Sequence, residues 1–326
     1  MNRLGAFVAG FVAALLFIAA GLGFYAIDRF DGPGPLTADT VVYIPAGTTM
    51  GDIARNLERD GVIEDSLVFR LGVRVMRVSR DLKAGEYMFP AAATMRDVVD
   101  ILLQGKTVVR RLTLPEGIAS AEAIALVRNA EGLVGEVAEV PPDGSLLPET
   151  YHYERGDRRE DLVRRMRVAM DQALAELWPQ RQPDLPLAGS AEAVILASIV
   201  EKETGVPEER RIVASVFYNR LKKRMRLQSD PTVVYGLTGG VGSLGRPLTR
   251  QDLRLPSPFN TYVIDGLPPA PIANPGRAAL EAVLNPARTD YLYFVANGDG
   301  GHAFAKTLEE HNRNVSDWRK RQTGAE

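Results

Sequence analysis

Hydrophobic and polar positions divide the chain into three kinds of pattern. From Leu4 to Ile27 runs LGAFVAGFVAALLFIAAGLGFYAI, 24 residues without a charge. As a helix at about 1.5 Å per residue it would measure roughly 36 Å, longer than a hydrocarbon core of about 30 Å. Next, short apolar runs alternate with amphipathic stretches. Val41–Pro45 leads to Thr49 and a helical pattern to Leu57, and Glu86–Pro90 leads to Thr94 and a helix to about Gln104. A looser third copy runs from Arg111 to Pro115, then Ser120 and a helix to about Asn129. Each copy predicts a strand, a proline, a hydroxyl N-cap and a helix. Beyond these, helical patterns cover about Asp161–Trp178, Ala191–Thr204 and Pro207–Lys222, with breaker-rich segments between them.

These patterns predict an α+β protein: one N-terminal transmembrane helix, a small α+β module and a larger mixed α/β module. The expected boundaries are a stub at 1–3, the membrane helix at 4–27, a linker at 28–40 and the small module at 41–106. A bridging strand and helix follow at 107–144 and a tail at 323–326; the larger module is expected to start near the breaker segment Pro179–Pro186, with 146–178 able to pack with it. The linker rests on Asp31-Gly-Pro-Gly-Pro. A cleaved signal peptide is the alternative for the first segment, with Ala19-Ala20-Gly21 as a cleavage site. The apolar run is long for that role. Arg3 before it weakly favours a cytoplasmic N-terminus, which places the rest outside.

Composition narrows the chemistry. Among 326 residues, 39 Lys and Arg against 41 Asp and Glu give a net charge of −2, so no basic field points to nucleic acid. There is no cysteine and only three histidines, none at helical metal-ligand spacing, which leaves no thiol chemistry and no expected metal or cofactor. Carboxylates, hydroxyls and amides must do the work.

One carboxylate stands out. On the helix after Ser190, Glu201 shares a face with Val194, Ala197 and Ser198, in the last turn before Gly205 and Pro207. Gly205 occupies the position of a C′ glycine. Burial and the negative helix end both disfavour ionisation, so Glu201 is a candidate general acid. The plain alternative is a helix-end carboxylate paired with Lys or Arg. Glu203 points about 200° away and reads as a solvated or N–H-capping residue. Ser198 and Lys202, four apart rather than three, make a poor Ser–Lys pair. Leu227–Thr232 reads as a polar turn, and Asn219, Gln228, Asp230 and Thr232 supply hydrogen-bonding groups suited to a sugar. Glu149 and Tyr151 sit in a polar-aromatic loop able to line a groove. The basic run Arg220–Arg226 reads as a solvated helix end.

Leu196–Thr204, Ala214–Leu221 and Leu227–Thr232 resemble the YceG-like family of endolytic murein transglycosylases. Asn260–Tyr262, Gly266–Pro269, Asn274–Gly276 and Tyr291–Val295 extend the resemblance in the same order; Ala270 stands where many members have glycine. The resemblance implies a single-pass inner-membrane protein, with a LysM-like module at 41–106 and a periplasmic transglycosylase module at 145–322. It places the family's catalytic glutamate on Glu201. It also implies a lyase that cleaves MurNAc–GlcNAc bonds within nascent peptidoglycan strands, forms 1,6-anhydro-MurNAc ends and terminates glycan elongation. The implied partners are the glycan strands, the membrane and peptidoglycan synthases. A peptidoglycan-binding scaffold without catalysis is the competing reading.

Overall fold

The computed structural model describes residues 3–323, so the first two residues of the stub and most of the tail lie outside the described residues. The chain forms two compact units. One runs up to Arg110 and takes in Tyr153–Asp157, and the other comprises Arg111–His152 and the chain from Arg158 onward.

The first unit begins with α1 (Arg3–Asp31), long and apolar enough to cross a membrane. Its side chains from Phe7 to Tyr25 are exposed. The helix runs four residues beyond the expected end at Ile27. Nothing breaks it before Gly32-Pro33, Phe30 is buried, and Asp31 accepts from Arg96 Nε at 2.7 Å. Then come β1 (Thr40–Ile44), α2 (Met50–Arg59), α3 (Ser66–Met76), β2 (Gly85–Phe89) and α4 (Met95–Gln104). β1 and β2 pair antiparallel with Val42 opposite Tyr87, which puts those two residues with Ile44 and Phe89 in the core.

The predicted caps at Thr49 and Thr94 are present. Thr94 Oγ1 accepts from Asp97 N at 3.0 Å while Asp97 accepts from Thr94 N at 2.9 Å, a reciprocal capping box. In the third copy Ala119 takes the cap position and Ser120 begins the helix. The periodicity reading passed over α3, which Asp65 caps by accepting from Leu67 N and Val68 N at 2.8 and 3.0 Å. Glu86, 3% exposed, is held by Arg110 (3.0 Å) and Arg155 (3.0 Å), and the Arg110 hydrogen bond leads in keeping its carboxyl below the usual range.

The second unit contains β3 (Arg110–Thr113, its first residue in the other unit), α5 (Ser120–Asn129) and β4 (Thr150–Tyr153), which pairs with β3. Six helices follow: α6 (Arg159–Leu177), α7 (Ser190–Glu203), α8 (Arg210–Lys222), α9 (Asp230–Thr238), α10 (Arg277–Leu284) and, after the β5–β6 hairpin, α11 (Leu308–Thr323). β5 (Tyr293–Ala296) and β6 (His302–Ala305) pair around the loop Asn297–Gly301. The centre of the unit is α7. Its residues Ala193–Val200 are buried on every side, packed with α8 and α10 through Leu196, Phe217 and Leu280 among others. A helix apolar all round belongs inside.

Candidate active site

α7 carries the carboxylates, and its ends differ from the expectation. Gly189 is the cap residue and Ser190 the first helical residue. At the other end Thr204 is extended, and Gly205 does not take the left-handed conformation that a C′ glycine would supply. Thr204 Oγ1 instead accepts from Val206 N at 3.0 Å, a local turn that replaces the glycine cap.

Glu201 is 4% exposed at its side chain. Oε2 accepts from the Gly276 N–H at 2.8 Å, and Oε1 lies 3.6 Å from Arg210 Nη2, which also donates to Glu116 at 3.3 Å. Burial raises its pKa; the Gly276 N–H and Arg210 oppose that, while Glu116 adds to it. Both oxygens are engaged: Oε2 ties α7 to the start of α10 and Oε1 faces Arg210 at the start of α8. This is the ion-paired helix end that stood as the plain alternative.

Glu203 is the surprise. It is not a solvated residue on the far side of the helix. It is only partly exposed, and Ser229 Oγ donates to its Oε1 at 2.5 Å. Burial pushes its pKa up to about 7; Asp230 adds to the rise, while the Ser229 hydroxyl, His302 and Arg220 work against it. A carboxyl that titrates near neutrality, with one oxygen positioned by a fixed hydroxyl, can deliver and recover a proton. The periodicity argument missed it because α7 has no solvated face: beyond Val200, tertiary neighbours rather than helix geometry decide which glutamate is solvated.

Those neighbours come from Leu227–Thr232, expected as a turn but in fact the entry to α9. Gln228 is exposed in the left-handed region at φ 51°. Ser229 is buried and aimed at Glu203, and Asp230 is exposed and accepts from Tyr262 Oη at 2.6 Å. Thr232, fully buried, donates to Ser229 O at 2.6 Å and pairs with Thr261 Oγ1 at 2.8 Å. Thr261 Oγ1 in turn accepts from Ser229 N at 2.9 Å. Thr232 therefore braces the loop, whereas Gln228 and Asp230 present polar groups to solvent on either side of Ser229. Asp230 also lines a cavity of about 720 Å³ with Lys202, Tyr235 and Arg246.

The remaining candidates lie apart from this cluster. Asn219 spends both amide protons on Thr289 O (2.8 Å) and Tyr291 O (2.9 Å), pinning α8 to the strand segment. Tyr151 is buried and donates to Leu147 O at 2.7 Å, so it is core and lines no groove; burial raises its pKa. Glu149 is exposed on β4's approach, where its carbonyl accepts from Leu114 N at 3.0 Å. Ser198, fully buried, donates to Ile195 O and accepts from Ile272 N at 3.0 Å, while Lys202 donates to Gly117 O at 3.3 Å, so the two form no Ser–Lys pair. Arg220, read as part of a solvated end, is 7% exposed and donates to Leu227 O and Leu292 O, both at 2.7 Å. His302 Nδ1 meets Glu209 Oε2 at 2.6 Å. Among the described residues no group of three or more His, Asp and Glu is placed to hold a metal ion.

Comparison with known proteins shows the family. The model of the YceG-like family matches residues 42–317. The endolytic murein transglycosylase of Bacillus subtilis is 30% identical over 304 residues, covering 83% of this chain and 82% of that protein. The protein of the same name from Streptococcus pneumoniae is 30% identical over 370 residues, covering 97% of this chain and 66% of its own length. A crystal structure of a YceG-like protein from Listeria monocytogenes is 34% identical, with a TM-score of 0.51 over 85% of this chain and 99% of the other.

Proposed function

The chain belongs to the YceG-like family, and from that premise we propose that it is a membrane-anchored endolytic murein transglycosylase in which Glu203 is the general acid. The observation that carries the assignment is the Glu203–Ser229 contact: a carboxyl poised near neutral pH, positioned from Leu227–Thr232 and flanked by exposed Gln228 and Asp230. Glu201 has the burial expected of an acid, but both its oxygens are engaged within the protein. Its role in this reading is to hold α7 against α10.

The chemistry needs one carboxyl. Protonated Glu203 gives its proton to the oxygen linking C1 of MurNAc to the next GlcNAc, and that C1–O bond breaks with oxocarbenium character. The carboxylate then takes the proton of the MurNAc 6-hydroxyl as its oxygen bonds to C1, closing the 1,6-anhydro ring. Proton and electrons balance without water, so the reaction is a lyase reaction. Glycosidases that use water or a covalent intermediate need a second carboxylate. Gln228 and Asp230 orient the saccharide; Asn219, Thr232 and Tyr151 serve by holding the surrounding elements in place.

In the same reading α1 spans the inner membrane with the N-terminus cytoplasmic and both units periplasmic, and residues 41–106 form a LysM-like module that engages glycan. Partnership with peptidoglycan synthases and termination of glycan elongation follow as the biological role. The test is mass spectrometry of glycan strands treated with the full chain in detergent, beside Glu203→Gln and Glu201→Gln. Anhydro-MurNAc ends from the wild type and Glu201→Gln, lost in Glu203→Gln, are expected. Loss in Glu201→Gln with full activity in Glu203→Gln returns the acid to Glu201. Reducing ends mean a hydrolase, and binding without cleavage means a scaffold.

A further inference from the structure

The outer side of α3 has no cover. Leu67, Leu71 and Val75 are 60%, 47% and 81% exposed and, four residues apart, form one apolar ridge along the helix. At about 100° per residue, Arg70, Arg74 and Arg77 fall along one flank of that ridge. All three are exposed, none has an ion-pair partner among the described residues, and no acidic residue occurs between Ser66 and Arg80. The opposite flank holds Gly72, against which the Phe30 ring of α1 is seated: a Cβ at position 72 would lie 2.1 Å from it. Arg29 pairs with Glu64, and Asp31 with Arg96 at 2.7 Å, so the end of α1 is fastened beside α3.

We propose that α3 lies on the membrane surface from which α1 emerges. Its Leu67–Leu71–Val75 ridge enters the boundary between headgroups and acyl chains, and Arg70, Arg74 and Arg77 contact anionic phospholipid headgroups. Two observations select a lipid surface over a protein partner. The ridge's flank adjoins the last turn of α1, which is apolar enough to span a bilayer, and the charged residues of α3 and its C-cap are all arginines. An apolar stripe edged by arginines is the pattern of an interfacial helix, and the long arginine stems reach headgroups while the ridge stays buried. The inference rests on the reading of α1 as a membrane anchor. It adds a second attachment that fixes how the first unit stands on the bilayer.

The chain contains no cysteine, so single-cysteine reporters can be introduced cleanly. A fluorophore is placed at Val75→Cys, at Ile27→Cys within α1, or at Val168→Cys on α6 as reference, in full-length protein in nanodiscs containing brominated phosphatidylglycerol. The Val75 label is expected to be quenched several-fold more than the Val168 label. Arg70→Glu/Arg74→Glu/Arg77→Glu is expected to cut Val75 quenching several-fold while leaving Ile27 quenching unchanged. Quenching at Ile27 with Val75 at the reference level overturns the surface contact and leaves the anchor standing. No quenching at Ile27 overturns the anchor reading itself. Equal Val75 quenching in phosphatidylcholine nanodiscs, unaffected by the triple variant, overturns anionic headgroup recognition.

Discussion

At the residue scale, two glutamates two residues apart on α7 are separated by what their oxygens meet. As the proposed acid, Glu203 would act only while protonated, so with a pKa near 7 cleavage is expected to hold below about pH 7 and fall about tenfold per pH unit above it, read as kcat/KM on soluble glycan strands. The Ser229 hydroxyl favours the ionised form, so Ser229→Ala is expected to move that descending limb to higher pH. The raised pKa also opposes folding. A folded-state pKa above the unfolded value near 4.5 means that the native state holds its proton longer, so stability declines as pH rises from about 4.5 through 7. Glu203→Gln should therefore raise Tm more at pH 8 than at pH 5 while removing activity. The sequence made the helix, both glutamates and the polar loop legible. It could not tell which glutamate the loop would reach, because that depends on where residues 229 and 261 arrive in space.

At the scale of elements, small contacts decide how helices seat. Ser198 on α7 offers its hydroxyl to Ile272 N in a fully buried site, so Ser198→Ala strands that N–H and is expected to cost about 1–3 kcal/mol in chemical denaturation. Gly72 on α3 leaves room for the Phe30 ring. Gly72→Ala must displace a buried aromatic and is expected to cost about 1–3 kcal/mol as overpacking, with Phe30→Ala in the same background recovering part of the loss. Caps were readable where the side chain itself does the capping, at Thr49 and Thr94. They were misread at Ser190 and Gly205, where a neighbouring glycine and a threonine turn serve instead. α3 went unseen for a related reason. Three of its seven apolar side chains face outward, which blurs the amphipathic period on which recognition depends.

At the scale of the whole molecule, stability in the first unit has an electrostatic centre. Glu86 is buried between Arg110 and Arg155, residues distant in sequence. Its carboxyl is held below the unfolded value of 4.5, so its stabilisation is present above that pH and is lost as pH falls through the lower, folded pKa. Glu86→Ala removes the buried carboxylate while leaving two partly solvated arginines and is expected to cost about 1.5–3 kcal/mol, read as a lower denaturation midpoint for the first unit at pH 7.

The sequence by itself determined helices α1, α2 and α4–α8 and strands β1–β3, though not α3 or α9, together with the 24-residue apolar run at the start, the repeated strand–proline–cap–helix units and the family to which the motifs are similar. Those features are local: each follows from spacing, capping chemistry or order along one stretch of chain. Tertiary structure decided the rest. It buried Arg220 and Tyr151, spent the Asn219 amide on backbone carbonyls, brought Ser229 onto Glu203 and engaged both oxygens of Glu201. The solvation of a side chain depends on residues tens of positions away, and no local pattern carries that information.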